Sequence, residues 1–285
     1  SAADAQRLLG KACALGVPSA CATAGERLAA SGALDAADQS FDAACKSTGP
    51  GAARACLGWG NVYFAETPHK DLGKALQAYA RACAVGSGGG CHAAGAMHAA
   101  GLGTKKDLAA AVELYEKGCA SDKGPKDACV ALGELYETGR QVKKDVAKAA
   151  ELYEKGCERG GCLRLGRLHE AGALGDKKKD PDSALRAYRR ECDAIPGWEA
   201  CQAQGRLLEA REANQARAFY AARCTSAVAI TWACEGLKRT TGATALTADI
   251  KPAPPPAPSC VTPLACPPPA APAAPKPAPK PAPKK

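Results

Sequence analysis

The residues of this chain best able to do chemistry are its sixteen cysteines. They fall in couples at 13/21, 45/56, 83/91, 119/129, 157/162, 192/201, 224/234 and 260/266. Thiols in such number can bind metal, exchange electrons or close disulfides, and their spacing discriminates among these. Zinc sites favour cysteines roughly two to four residues apart, and no C-x-x-C occurs in the sequence. Thiol redox chemistry wants such a motif or one activated thiolate, and neither is visible. Structural disulfides are the favoured reading, and an even count suits a closed set of pairs.

The remaining reactive groups are sparse. His98 and His169 stand where sister segments carry Tyr63 and Tyr136, so an imidazole in a tyrosine slot is favoured over a ligand role. His92, six residues before His98, lies well around a helix from it, which argues against chelation. His69 falls in a loop. His169–Glu170 lacks the second histidine of H-E-x-x-H. The run Gly86–Gly90 has no following Lys-Ser/Thr, so it is read as a flexible turn within a cysteine couple and not as a phosphate loop. No metal and no cofactor is expected.

Composition limits the partners. Residues 251–285 hold five lysines and no acid, leaving 33 basic against 29 acidic groups elsewhere, a net of +4. So mild a basicity gives no reason to expect nucleic acid. No apolar run approaches the roughly 18–20 residues that cross a bilayer. Aromatics are 5% of the chain and Met occurs once, while Ala and Gly abound. Such a chain buries small side chains by close helix approach.

The elements that must position the cysteines emerge on alignment. First members of the seven leading couples are 32, 38, 36, 38, 35 and 32 residues apart, the period of a helix-hairpin solenoid. Eight residues before each stands Ala: Ala5, Ala37, Ala75, Ala111, Ala149, Ala184 and Ala216. Four before stands Leu9, Phe41, Tyr79, Tyr115, Tyr153, Tyr188 or Tyr220. These offsets share one face of an α-helix, the second helix of each unit. Asp71, Asp107, Asp145 and Asp180, twelve before, are its expected N-caps.

The second member of each couple opens the first helix of the next unit. Four residues after it comes Gly25, Gly60, Gly95, Gly133, Gly166 or Gly205. A helical glycine costs about 1 kcal/mol relative to Ala, so its recurrence implies a close backbone approach, with the facing Ala as expected neighbour. The unit after Cys234 departs, with Lys238 in the glycine position, and is read as a short closing helix.

The segments Cys129–Gly139 (CVALGELYETG), Asp145–Cys157 (DVAKAAELYEKGC) and Cys162–Gly172 (CLRLGRLHEAG) resemble Sel1-like repeats. The couple in every unit resembles the cysteine-rich subgroup typified by the Helicobacter cysteine-rich proteins. The resemblance covers roughly residues 1–240. It implies an all-α, right-handed α/α solenoid of TPR-like hairpins with its first helices lining the concave surface. It also implies adaptor roles in bacterial envelopes and host contact. Cysteine-rich relatives have been linked to penicillin binding and labelled β-lactamases, which makes a hydrolase one rival. Against it, the chain has no S-x-x-K, S-D-N or K-T-G; Thr240–Thr241–Gly242 follows Arg239 instead of Lys. A thiol-disulfide redox protein, with one couple left reducible, is the second rival.

Each couple brackets a short connection between helices, which can bring its members to the roughly 5.5–6 Å Cα separation of a disulfide. Expected pairs are Cys13–Cys21, Cys45–Cys56, Cys83–Cys91, Cys119–Cys129, Cys157–Cys162, Cys192–Cys201, Cys224–Cys234 and Cys260–Cys266. Such bonds place the protein in a periplasm or outside the cell. The solenoid is assigned to residues 1–244. Residues 245–285, a Pro/Ala/Lys-rich stretch ending KPAPKPAPKK, are assigned to a disordered, polyproline-type spacer.

Two surfaces could receive a partner. The fifth residue after the second cysteine varies, as Glu26, Asn61, Ala96, Glu134, Arg167 and Arg206, and the second brings Arg164. Off the buried stripe, these suit a recognition face and an unconstrained surface equally well. Lys105, Lys106, Lys143 and Lys144 recur ahead of the capping Asp and can form a basic edge, though a solvated loop is the favoured reading. The functional expectation is a non-catalytic, monomeric scaffold that binds a protein or peptide, or an envelope glycan.

Overall fold

Among the residues described by a computed structural model, fourteen α-helices follow one another along the chain. The structure describes residues 2–241 apart from 48–50, 69, 122–125, 176–177, 195–197, 226–227 and 230. His69, Lys177, the Cys260–Cys266 pair and the Pro-rich segment 245–285 lie outside the described residues.

First helices are α2 (Pro18–Ala30), α4 (Ala52–Phe64), α6 (Gly88–Ala100), α8 (Asp127–Thr138), α10 (Gly161–Ala171), α12 (Trp198–Arg211) and α14 (Thr231–Thr241). Second helices are α1 (Ala2–Ala14), α3 (Leu34–Cys45), α5 (Leu72–Ala84), α7 (Leu108–Ala120), α9 (Val146–Lys155), α11 (Pro181–Ala194) and α13 (Ala213–Arg223). Among the described residues α1 is a second helix and α14 a first helix. Among the described residues the only other regular elements are a 3-10 turn at Cys157–Arg159 and a pair of two-residue strands. β1 (Cys224–Thr225) and β2 (Val228–Ala229) pair antiparallel between α13 and α14.

The second helices start where an aspartate can cap them. Asp71, Asp107, Asp145 and Asp180 accept from Lys74 N, Ala110 N, Lys148 N and Ser183 N at 2.9–3.0 Å. The amide of each capping Asp donates 2.9 Å back to the carbonyl of Tyr63, His98, Tyr136 or His169 on the preceding helix. That bond closes the loop inside each hairpin. His98 and His169 thus share their tyrosine sisters' place in the repeat.

The recurring glycines have a different neighbour from the one expected. An added Cβ at Gly25, Gly95, Gly133 or Gly205 would lie 2.6–2.7 Å from the ring of Phe41, Tyr115, Tyr153 or Tyr220. Gly60 and Gly166 meet Tyr79 and Tyr188 in the same way. The aromatic four residues before the cysteine therefore occupies the room the glycine leaves. The facing alanine comes second, through the carbonyls of Ala111 and Ala149 at 3.3 Å from Gly95 and Gly133. The alanines at position minus eight from Ala37 to Ala216 are fully buried beneath these rings.

Another expectation is corrected at Gly86–Gly90. Only Gly86, at φ 91°, belongs to a turn. Gly88, Gly89 and Gly90 form the buried first turn of α6, and Ser87 Oγ caps it from Gly90 N at 3.1 Å. A Cβ on Gly90 would strike Ala82 Cβ at 2.5 Å and Cys83 N at 2.8 Å, so the glycines let α6 begin directly against the end of α5.

Seven couples stand at disulfide distance, with Cα–Cα separations of 4.3–4.9 Å. Each joins the end of one second helix to the start of the next first helix, so each staple ties neighbouring repeats together. Two couples depart from the common form: Cys157 lies in the 3-10 turn beyond the end of α9 at Lys155, and Cys224 lies in β1 beyond the end of α13 at Arg223.

Candidate binding face

The first helices touch one another directly, most closely α2 with α4 and α6 with α8, more than the second helices do. They form the more tightly packed layer, whose outward side carries the residues five positions after each second cysteine.

Most of those residues are already paired. Arg54 on α4 donates to Glu26 on α2, with Nε at 2.5 Å from Oε1. Asn61 Oδ1 accepts the Tyr79 hydroxyl at 2.8 Å. Glu134 on α8 pairs with Arg164 on α10, whose guanidinium lies 5.9 Å from the Tyr153 ring centre. Arg167 on α10 pairs with Glu199 on α12 at 3.2 Å. Arg206 is exposed on α12 and acts electrostatically on Tyr188 and Glu209. The structure thus brings Glu134 together with Arg164 and joins Glu26, Asn61 and Arg167 each to a group on a neighbouring helix, while Arg206 makes no hydrogen bond or ion pair among the described residues.

A second set of acids on this face is absent from the sequence-derived candidates. Glu137, Glu170 and Glu209 stand eight residues after a second cysteine, and each accepts the hydroxyl of the tyrosine packed on the glycine of its helix: Tyr153, Tyr188 at 2.8 Å and Tyr220 at 2.5 Å. The signal was available, since glutamate recurs at that offset in three successive units. In α6 the corresponding position is Ala99, and Tyr115 has no hydrogen-bond partner among the described residues.

Burial sets the electrostatics. Glu134 is pushed above its ordinary value first by burial, with Arg164 opposing and Glu137 adding to the rise. Burial alone would raise Glu209 too, but its bonds from Arg239 and Tyr220 prevail and hold it below the usual carboxylate range. His92 is lowered mainly by burial; Nδ1 of both His92 and His98 is enclosed without a hydrogen-bond partner. Tyr63 is pushed up to about 12 by burial and then by Asp38. At neutral pH the face therefore presents tyrosine hydroxyls, carboxylates and guanidinium groups, with no activated nucleophile evident among them.

Lys105 and Lys106 are exposed on the α6–α7 loop, and Lys143 and Lys144 on the α8–α9 loop. They lie at the hairpin ends and are not joined to the first-helix face. Among the described residues no group of three or more His, Cys, Asp or Glu is placed to hold a metal ion. No described helix is long and apolar enough to cross a membrane.

These features define a disulfide-stapled α/α solenoid whose first helices are joined by ion pairs. Its central hairpins match the Sel1 repeat family, at residues 89–123, 126–161 and 161–190, which correspond to α6–α7, α8–α9 and α10–α11. The cysteine couple in each unit is in keeping with the cysteine-rich subgroup of such repeats. No curated protein matches the chain significantly. Among solved structures it is similar to a protective antigen of uropathogenic Escherichia coli strains displaying an SLR fold. Identity there is 22% and TM-score 0.59, over 82% of this chain and 51% of that one. The chain thus spans about half the length of that protein. It is also similar to a Sel1 repeat protein from Oxalobacter formigenes, at 24% identity and TM-score 0.57, over 69% of this chain and 81% of that one. At such identities the likeness concerns the fold.

Proposed function

We propose that the chain is a non-catalytic scaffold of an oxidising, extracytoplasmic compartment, and that it binds a protein or peptide on the outward side of its first helices. The observation that carries this reading is the division of labour within each repeat. Ala, Gly, aromatic and Cys residues are spent on packing and cross-linking, while the positions that change from unit to unit gather on one face. Repeat proteins acquire specificity by such variation on a fixed frame. Sel1 repeats generally serve protein interaction, which supports a protein partner over a glycan. Seven cysteine couples at disulfide distance support the compartment.

The test is capture of partners from an envelope extract by the immobilised, oxidised chain, with identification by mass spectrometry. One variant carries Arg164→Glu, Arg167→Glu and Arg206→Glu; a control reverses Lys105, Lys106, Lys143 and Lys144. Loss of capture only in the first supports the face. Loss only in the control moves the site to the basic edge. Undiminished capture by both, abolished by deleting 245–285, assigns recognition to the Pro-rich segment instead.

A further inference from the structure

At the carboxy-terminal end of the same face, α12, α13 and α14 enclose a half-open depression of about 350 Å³. Gln202, Arg206, Glu209, Tyr220, Trp232, Glu235 and Arg239 line it, with Glu235 the exposed acid of the set. Its charges are already partly spent. Glu209 Oε1 accepts from Arg239 at 2.8 Å and from the Tyr220 hydroxyl at 2.5 Å, so this carboxylate is satisfied from within the protein. Arg206 remains exposed, with no hydrogen bond or ion pair to the described residues.

Trp232 supplies the second observation. It is 9% exposed, and its ring is held in place by Phe219 at 6.2 Å and edge-on Tyr220 at 6.1 Å. Its indole N–H donates to no group among the described residues, yet it is not one of the buried polar atoms left without a partner. A buried tryptophan N–H ordinarily finds an acceptor. Here a donor that the protein leaves unused and an unpaired guanidinium belong to residues lining one depression, where Glu209 is already occupied and Glu235 is exposed. An acceptor-only, negatively charged group satisfies both.

We infer that this depression is a subsite for a carboxylate of a bound peptide, held by the Arg206 guanidinium and the Trp232 indole N–H. The inference rests on the scaffold reading above and names the chemistry that one end of the face recognises. Either a peptide's terminal carboxylate or an Asp or Glu side chain can supply the group.

Nitrogen–proton NMR spectra of the full, oxidised chain test it, because an indole N–H gives its own resonance and weak binding suffices. The Trp232 signal is identified by its loss in Trp232→Phe, which keeps a ring and removes the donor. The probes are N-acetyl-Ala-Ala with a free carboxylate, its C-terminal amide, and N-acetyl-Glu-amide. The free acid, the side-chain acid or both should shift the Trp232 signal saturably, whichever responds identifying the source, while the amide leaves it unmoved. Arg206→Glu should weaken the response at least tenfold. Glu235→Gln should strengthen it two- to threefold, by removing a like charge from the rim. Equal shifts with acid and amide, no shift with either acid, or an unchanged response in Arg206→Glu would overturn the subsite. The face assigned above fails separately, if capture from the extract survives reversal of Arg164 and Arg167 with Arg206 left in place.

Discussion

The ring of Tyr153 on α9 lies against the α-carbon of Gly133 on α8, so closely that a methyl group there would sit 2.6 Å from the ring edge. The same contact recurs from Gly25–Phe41 to Gly205–Tyr220 and sets how near the two helices of a hairpin approach. Gly133→Ala must push the ring or helix aside, and overpacking of this kind costs about 1–3 kcal/mol. Gly10 on α1 has nothing within 4 Å of an added Cβ, so Gly10→Ala should be neutral or stabilise by up to about 1 kcal/mol. Denaturant midpoints of the two variants should therefore move in opposite directions or leave Gly10→Ala unmoved. Equal losses would remove the ring contact as the reason for the glycine.

The helices and caps were legible because each repeat restates them: alanine and aromatic at offsets of eight and four fall on one helical face, and aspartate stands where the helix begins. The partner of the glycine was less legible, since Tyr153 and Gly133 belong to different alignment frames. Only the hairpin brings those frames together. Ion pairs such as Glu134–Arg164 and Arg167–Glu199 join successive repeats, and sequence offsets within one unit do not reveal them. Glu137, Glu170 and Glu209 were detectable by recurrence, but their role depends on where the tyrosine hydroxyls end.

Non-reducing peptide mapping should find each of the seven leading couples joined internally, because Cα–Cα separations of 4.3–4.9 Å leave the two members of each together. Replacing Cys83 and Cys91 together by Ser should cost about 2–3 kcal/mol, the model-dependent value for a loop of this size. Bonds between couples, or free thiols at most sites, would remove both the pairing and the case for an oxidising compartment.

Glu191 is buried, and its Oε2 accepts from Leu163 N at 2.7 Å in the first turn of α10. Burial raises its carboxyl above the ordinary 4.5, with the Leu163 bond opposing. The folded protein therefore holds this proton more tightly than the unfolded chain. The resulting stability is full below the unfolded value and is lost as pH rises through the folded one. Glu191→Gln keeps an acceptor for Leu163 and removes the titration. As pH rises above the ordinary carboxyl value the parent should lose stability relative to this variant, until the folded-state group is also ionised. A flat difference, or one of opposite sign, would show that the group is not raised.

Purified oxidised protein should not hydrolyse nitrocefin above a heat-treated control. The hydroxyls of Tyr153, Tyr188 and Tyr220 meet carboxylates on the face, but burial first and then those carboxylates push them up, so they stay protonated and are poor nucleophiles. Sustained turnover abolished by changing one side chain would restore the hydrolase reading.

Glu134 and Arg164 allow structural and recognition roles to be separated. They face each other across α8 and α10, and Arg164 also lies over the Tyr153 ring. Side chains this exposed, 38% for Arg164 and 45% for Glu134, make a pair worth at most about 1 kcal/mol. Glu134→Arg or Arg164→Glu alone should lose roughly that much and place like charges together. The double exchange restores an opposite pair and the parent's net charge, so its melting temperature should return most of the way. What it does not restore is the pattern on the face, because acid and base have traded places. If a partner reads that pattern, capture from an envelope extract should stay as weak in the double variant as in either single one. Recovery of capture along with stability would mean that these residues only hold the repeats together, and recognition would then have to be sought elsewhere on the chain.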